Sequence, residues 1–184
     1  MNNNEPTSAF WPQTLINWVE LVIKVIVVFG ALGAVYQYFD VKQATRVKET
    51  MEQLKAFHSG DLQAAQLTLT KTWEKYQTQI EFINQQSVAN EQTKAQIQAK
   101  IVLPVIKQNQ RQRELGLLVD FFNNLQVCVQ HRICDQQVAQ GFIGGYAKNF
   151  YRLHQPWIVE QRKVIPGYAC ELQAFVQLDV DCRN

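Results

Sequence analysis

Residues 115–157 read LGLLVDFFNNLQVCVQHRICDQQVAQGFIGGYAKNFYRLHQPW, and their apolar spacing decides the fold. Leu115, Leu118, Phe122 and Leu125 recur at helical intervals and form one apolar stripe. A second stripe follows at Val138, Phe142, Tyr146, Phe150, Leu153 and Trp157. Asp135 lies between them, an acceptable N-cap for a new helix. Helices near 108–130 and 135–160, joined by so short a turn, must run antiparallel. This hairpin is the expected stability centre. Gly144 and Gly145 fall inside its second helix, where a Gly pair costs about 1–2 kcal/mol of propensity. Close packing against a neighbour is the expected reason.

Outward toward the N-terminus, the apolar spacing stays helical and no strand-like alternation of useful length occurs. A helix is expected over about 62–86, with Leu62, Leu69, Trp73, Tyr76, Ile80 and Ile83 on its stripe. Residues 87–90 read as a connector. Gly60 suits a helix C′ position and Asp61 an N-cap. A segment over about 90–130 contains Pro104 and is expected to kink or split there. Beyond the hairpin, residues 169–175 suit a short final helix.

The run Leu15 to Phe39 reads LINWVELVIKVIVVFGALGAVYQYF and holds two charges, Glu20 and Lys24. Leu21 to Phe39 makes about 28 Å of helix, close to a ~30 Å hydrocarbon core. Trp11 and Trp18 at one end and Tyr36 and Tyr38 at the other supply interfacial aromatics. A cleaved signal peptide needs a basic leading region, and residues 1–19 contain no Lys or Arg. A retained anchor is therefore expected. The division is a tail at 1–14, a transmembrane helix at 15–39, its helical extension at 40–60, a helical bundle at 61–165 and a C-terminal tail at 166–184. The fold class is all-α. Lys42, Arg46, Lys48 and Lys55 follow the span, and the positive-inside rule puts the C-terminal domain in the cytoplasm with the N-terminus outside an inner (cell) membrane. Glu20 and Lys24 share a helix face, and Gly30 and Ala34 form a small-xxx-small pair, so these four are candidates for an in-membrane helix contact.

The anchor and the hairpin together resemble a bacterial family of unknown function: small single-pass membrane proteins with a helical domain. The family pattern is an N-terminal span, a helix ending near L-x-F-F, a tight turn with an acidic residue, and an aromatic helix closing on an aromatic-proline pair. Those features stand here as LLVDFFNNLQVCV, Asp135 and FIGGYAKNFYRLHQPW. The likeness covers the anchor and about 115–160. The family has no established activity, so the resemblance implies architecture and no catalytic residue.

Chemistry leaves few marks on this chain. Net charge is +2, which makes no electrostatic case for nucleic acid. The 25 Gln are scattered through helical patterns, where long polar side chains suit wetted faces. There is no Gly-x-Ser-x-Gly, no phosphate loop and no His-Glu-x-x-His, and His58, His131 and His154 lie in separate segments. No cofactor and no enzymatic activity are expected. Cys128, His131 and Cys134 fall at three-residue intervals, but the helix end between them argues against a metal site. The remaining readings are buried unpaired thiols or disulfides among Cys128, Cys134, Cys170 and Cys182, the latter if the domain lies in an oxidising compartment. The expected function is a membrane-anchored interaction or accessory protein. It would contact lipid and a membrane complex or a second copy, with exposed Tyr151 or Trp157 carrying part of the contact. The alternatives are a prophage- or defence-type effector that perturbs the bilayer on oligomerising, and a thiol or metal switch at Cys128 and Cys134.

Overall fold

The structure is a computed structural model and describes residues 13–85 and 91–176. The expected tail at 1–12, connector at 87–90 and end of the chain from 177 lie outside the described residues. The chain divides into two units, Met1–Ala44 and Thr45–Asn184. Every described element is helical, so the protein is all-α.

Helix α1, Gln13–Phe57, supplies the described part of the first unit. Its apolar residues from Leu21 to Val41 are exposed, and among the described residues it alone is long and apolar enough to cross a membrane. Lys24 Nζ meets Glu20 Oε1 at 2.7 Å, one turn apart on this helix. The pairing sets two opposite charges against each other on an otherwise apolar surface, which lowers the cost of carrying them near lipid.

The second unit begins on the last turns of α1, where Leu54 and Phe57 enter its core. It continues through α2 (Gly60–Glu74), α3 (Gln77–Gln85), α4 (Glu91–Gln108) and α5 (Gln112–Gln130). Then come α6 (Gln136–Ala139), a π-helical turn (Gln140–Gly144), α7 (Gly145–Arg162) and α8 (Cys170–Phe175). Helix α5 is central: it packs against α2 and α8, while α4 packs against α7. The predicted stripe of α5 is fully buried at Leu115, Leu118, Phe122 and Leu125. Phe122 touches the rings of Phe57, Phe121, Tyr146, Phe150 and Phe175, with centroids 5.4–6.2 Å apart. The aromatic cluster thus ties α1, α5, α7 and α8 together.

The breaks fall elsewhere than Pro104. That residue lies within α4, and the chain turns at Gln110 instead. Gln110 has φ 54°, the Arg111 amide donates to the Ile106 carbonyl, and the Gln110 amide donates to the Lys107 carbonyl. This is a Schellman end with Gln where Gly is usual. The expected helix over 62–86 divides at Lys75–Tyr76 into α2 and α3. Ser59, in extended conformation, is the N-cap of α2 in place of Asp61, while Gly60 takes the left-handed φ of 55°.

The hairpin turn repeats the Gln110 device. Arg132 has φ 57°, its amide donates to the Val129 carbonyl, and the Ile133 amide donates to the Cys128 carbonyl. Asp135 then caps the next helix: its side chain accepts from the Val138 amide at 2.9 Å. The Asp135 amide donates to Thr50 Oγ1 at 2.7 Å, and that hydroxyl donates to the Arg46 carbonyl at 2.8 Å. The tip of the hairpin is therefore held on a fully buried Thr of α1.

The second stripe is corrected by one residue. Ala139, Ile143, Ala147, His154 and Ile158 are buried, alongside Phe150, Tyr151 and Trp157. Phe142, expected in the core, is 68% exposed, and Tyr146 is only partly covered. Counted back from the buried Phe150 at about 100° per residue, Ile143 falls within about 20° of the same face and Phe142 about 80° from it, so Ile143 points inward and Phe142 out, with a π turn at Gln140–Gly144. Tyr151 and Trp157, expected to be exposed contacts, are 3% and 6% exposed. Gly144 answers to its own turn and not to a neighbouring helix. A Cβ there would stand 2.5 Å from Gln140 Oε1, and the Gln140 amide donates to the Phe175 carbonyl of α8. Gly145 has open space around it.

Pro156 sits inside α7 and has no N–H to give to the Arg152 carbonyl one turn back. The Gln98 side chain of α4 fills that role, donating to the Arg152 carbonyl at 2.6 Å and the Leu153 carbonyl at 3.0 Å. A cross-helix amide thus replaces the missing backbone bond and lets α7 run to Arg162.

Candidate functional site: a cleft between α2–α3 and α7

Helices α2 and α3 on one side and α7 on the other enclose an open cleft of about 500 Å³. Drug-sized ligands and anchoring side chains occupy clefts of this size. Leu69, Trp73, Ile80, Phe150, Leu153 and His154 make the apolar wall, and Thr70, Glu74, Gln77, Glu81 and Asn149 supply polar groups. Helix α7 lines the cleft with rings on successive turns, Tyr146, Phe150 and His154, and α2 sets Trp73 on the other wall. Trp73 and His154 meet with ring centroids 5.5 Å apart, and Phe150 lies 4.5 Å from His154.

His154 is buried and both of its ring nitrogens are used. The Trp73 indole N–H donates to Nε2 at 3.0 Å, and Nδ1 lies 2.8 Å from the Phe150 carbonyl. A carbonyl only accepts and an indole N–H only donates, so the imidazole is neutral with its proton on Nδ1. Burial pushes its pKa down to about 4, against a smaller upward pull from the Phe150 carbonyl. Protonating Nε2 would set one N–H against another. The histidine is therefore a structural link across the cleft, with no free lone pair for a metal or for acid–base work. Tyr146 edges the same cleft, and burial raises its phenol to about 12, so it stays neutral.

The other sequence-selected residues lie apart from the cleft. Cys128 and Cys134 form a disulfide with Cα atoms 5.2 Å apart, closing the hairpin turn. Their sulfurs are bonded to each other, and His131 is the exposed C-cap of α5, so the Cys-His-Cys spacing is not a ligand set. Cys170 at the start of α8 is also disulfide-bonded, and Cys182 lies outside the described residues. Among the described residues no free cysteine remains and no group of three His, Cys, Asp or Glu is gathered to hold a metal. In the first unit Glu20, Lys24, Gly30 and Ala34 are exposed, and a Cβ added at Gly30 would meet nothing within 4 Å.

Sequence reasoning missed the cleft. Trp73 read as a stripe residue and His154 as isolated, and nothing singled out Glu74, Glu81 or Asn149. The lost signal is long-range: Trp73 and His154 are 81 residues apart in sequence.

These features define a membrane-associated, all-helical protein: one apolar helix able to span a bilayer, and a disulfide-closed helical domain with one cleft described in it. No protein-family model, curated protein or solved structure matches the chain. Of the family resemblance, the structure shows the architecture alone, an apolar N-terminal helix plus a helical domain.

Proposed function

We propose that this protein is a membrane-anchored, non-catalytic binding subunit that holds its helical domain beside a membrane complex and engages a partner through the α2–α3/α7 cleft. The observation that carries the reading is the cleft itself: apolar, open, and with its single histidine committed to structure. Such a site favours binding over proton transfer. The Glu20–Lys24 pair supports an anchoring role over a pore, because each charge already has its partner on the same helix. Gly30 and Ala34 leave room for a second membrane helix, from a partner or another copy.

A photo-crosslinking residue at Asn149, on the rim of the cleft, tests this in native membranes. One discrete protein adduct is expected. Leu153→Trp should abolish it by filling the cleft while the domain still melts cooperatively. An adduct that survives Leu153→Trp would mean that the partner docks elsewhere.

We also propose that the domain lies on the oxidising side of the membrane. Lys42, Arg46, Lys48 and Lys55 after the span favour the cytoplasm. Paired Cys128–Cys134 and a disulfide-bonded Cys170 weigh on the other side, since disulfides persist where thiols are not kept reduced. In right-side-out membrane vesicles, an impermeant maleimide should label the domain only after treatment with an impermeant reductant. Labelling that instead requires lysis would place the domain inside.

A further inference from the structure

The cleft discriminates by chemistry as well as by shape. Its floor offers no free hydrogen-bonding group, because the Trp73 N–H and both His154 nitrogens are spent on each other and on the Phe150 carbonyl. Leu69, Ile80 and Leu153 complete an apolar surface. Among the described residues, the charge of the lining is confined to the α2–α3 wall and is of one sign: Glu74 and Glu81, with no Lys or Arg. Among the described residues neither carboxylate is in an ion pair, and Glu81 accepts only a neutral amide hydrogen bond, from Gln77 at 2.9 Å.

Length narrows the occupant. The lining runs from Leu69 to Glu81 on one wall and from Tyr146 to His154 on the other. At 1.5 Å per residue these are about 18 Å and 12 Å of helix. That is the span of two to three turns of a docked helix, read through apolar anchors at i, i+4 and i+7.

From this we infer that the cleft receives a basic amphipathic helix of a partner protein. Its apolar side chains pack against Trp73, Phe150 and Leu153, and a Lys or Arg stands opposite Glu74 and Glu81. The carboxylates are exposed, so their part is orientation and selection of the partner more than raw affinity. The inference rests on the binding role proposed above and adds the chemistry of the partner.

The test uses the full chain in native membranes with the crosslinker at Asn149. Glu74→Lys with Glu81→Lys should cut the adduct at least tenfold, and the paired Gln substitutions should cut it by less. Both Glu side chains are exposed, so the thermal midpoint of each variant should match the parent; the Gln pair serves if charge reversal disturbs the fold. The peptide joined to the crosslinker should carry Lys or Arg within one helical turn of the attachment. An adduct unaffected by charge reversal overturns the inference and leaves the binding role standing. So does attachment to an acidic segment, a lipid or a small molecule. Absence of any adduct in the parent chain overturns the binding role itself.

Discussion

Phe122→Ala is expected to lower the stability of the domain by about 3–5 kcal/mol, the usual cost of emptying a buried phenylalanine site. Phe122 is 0% exposed and touches five aromatic rings contributed by α1, α5, α7 and α8. Those helices cannot all collapse onto the gap at once, which puts the cost toward the upper end of the range. For a unit of this size the thermal midpoint should fall by on the order of 10 °C. Phe142→Ala supplies the contrast. It removes the same atoms from a side chain on the surface, and should change stability by no more than about 0.5 kcal/mol. Melting of the two variants, followed by near-ultraviolet circular dichroism, checks both. Equal losses would mean that Phe142 packs into the core as Phe122 does.

Acid should weaken the domain through His154. The folded state holds this imidazole neutral with a pKa of about 4, while the unfolded chain protonates it near the ordinary value of 6.5. The unfolded state therefore binds the extra proton as pH falls below 6.5. The His154 contribution is fully present above that value and is progressively lost toward pH 4, a total on the order of 3 kcal/mol. His154→Gln keeps an acceptor for Trp73 and removes the titration. Its stability should be lower at pH 7 but flatter between pH 6.5 and 4 than that of the parent. A parent profile as flat as the variant's would refute the neutral, doubly bonded imidazole.

What the chain shows of this fold in its sequence depends on how local the cause is. The apolar run at Leu15–Phe39, the α5 stripe and the Asp135 cap each rest on residues within a few turns of one another, and each is readable by spacing alone. Gln110 and Arg132 are local too, yet they escape notice because the left-handed position is expected to hold Gly. The second stripe slips by one residue at its start because Phe142 and Ile143 are both large and apolar, and the aromatic residue outweighs the one that a 3.6-residue count from Phe150 selects. Pro156 reads as a residue that bends or loosens the last turns of its helix until Gln98, far away in sequence, is seen to replace the missing bond. The cleft is least readable of all, since its walls come from segments that nothing in the sequence links. The pairing of Cys128 with Cys134 lies between these cases: spacing allows it, and the reversal of the chain at Arg132 brings it about.

That disulfide gives the hairpin an unusual topology. Cys128 and Cys134 turn the residues between them into a closed covalent ring, with the exposed Arg132 at its outer edge. Cutting the backbone anywhere inside the ring opens a loop but does not part α5 from α6, because the sulfur bridge remains as a second path. The connection between the halves of the domain is thus redundant at the point where a protease could most easily reach it. Integrity there depends on the bridge, and only a cut together with a reduction would sever the hairpin.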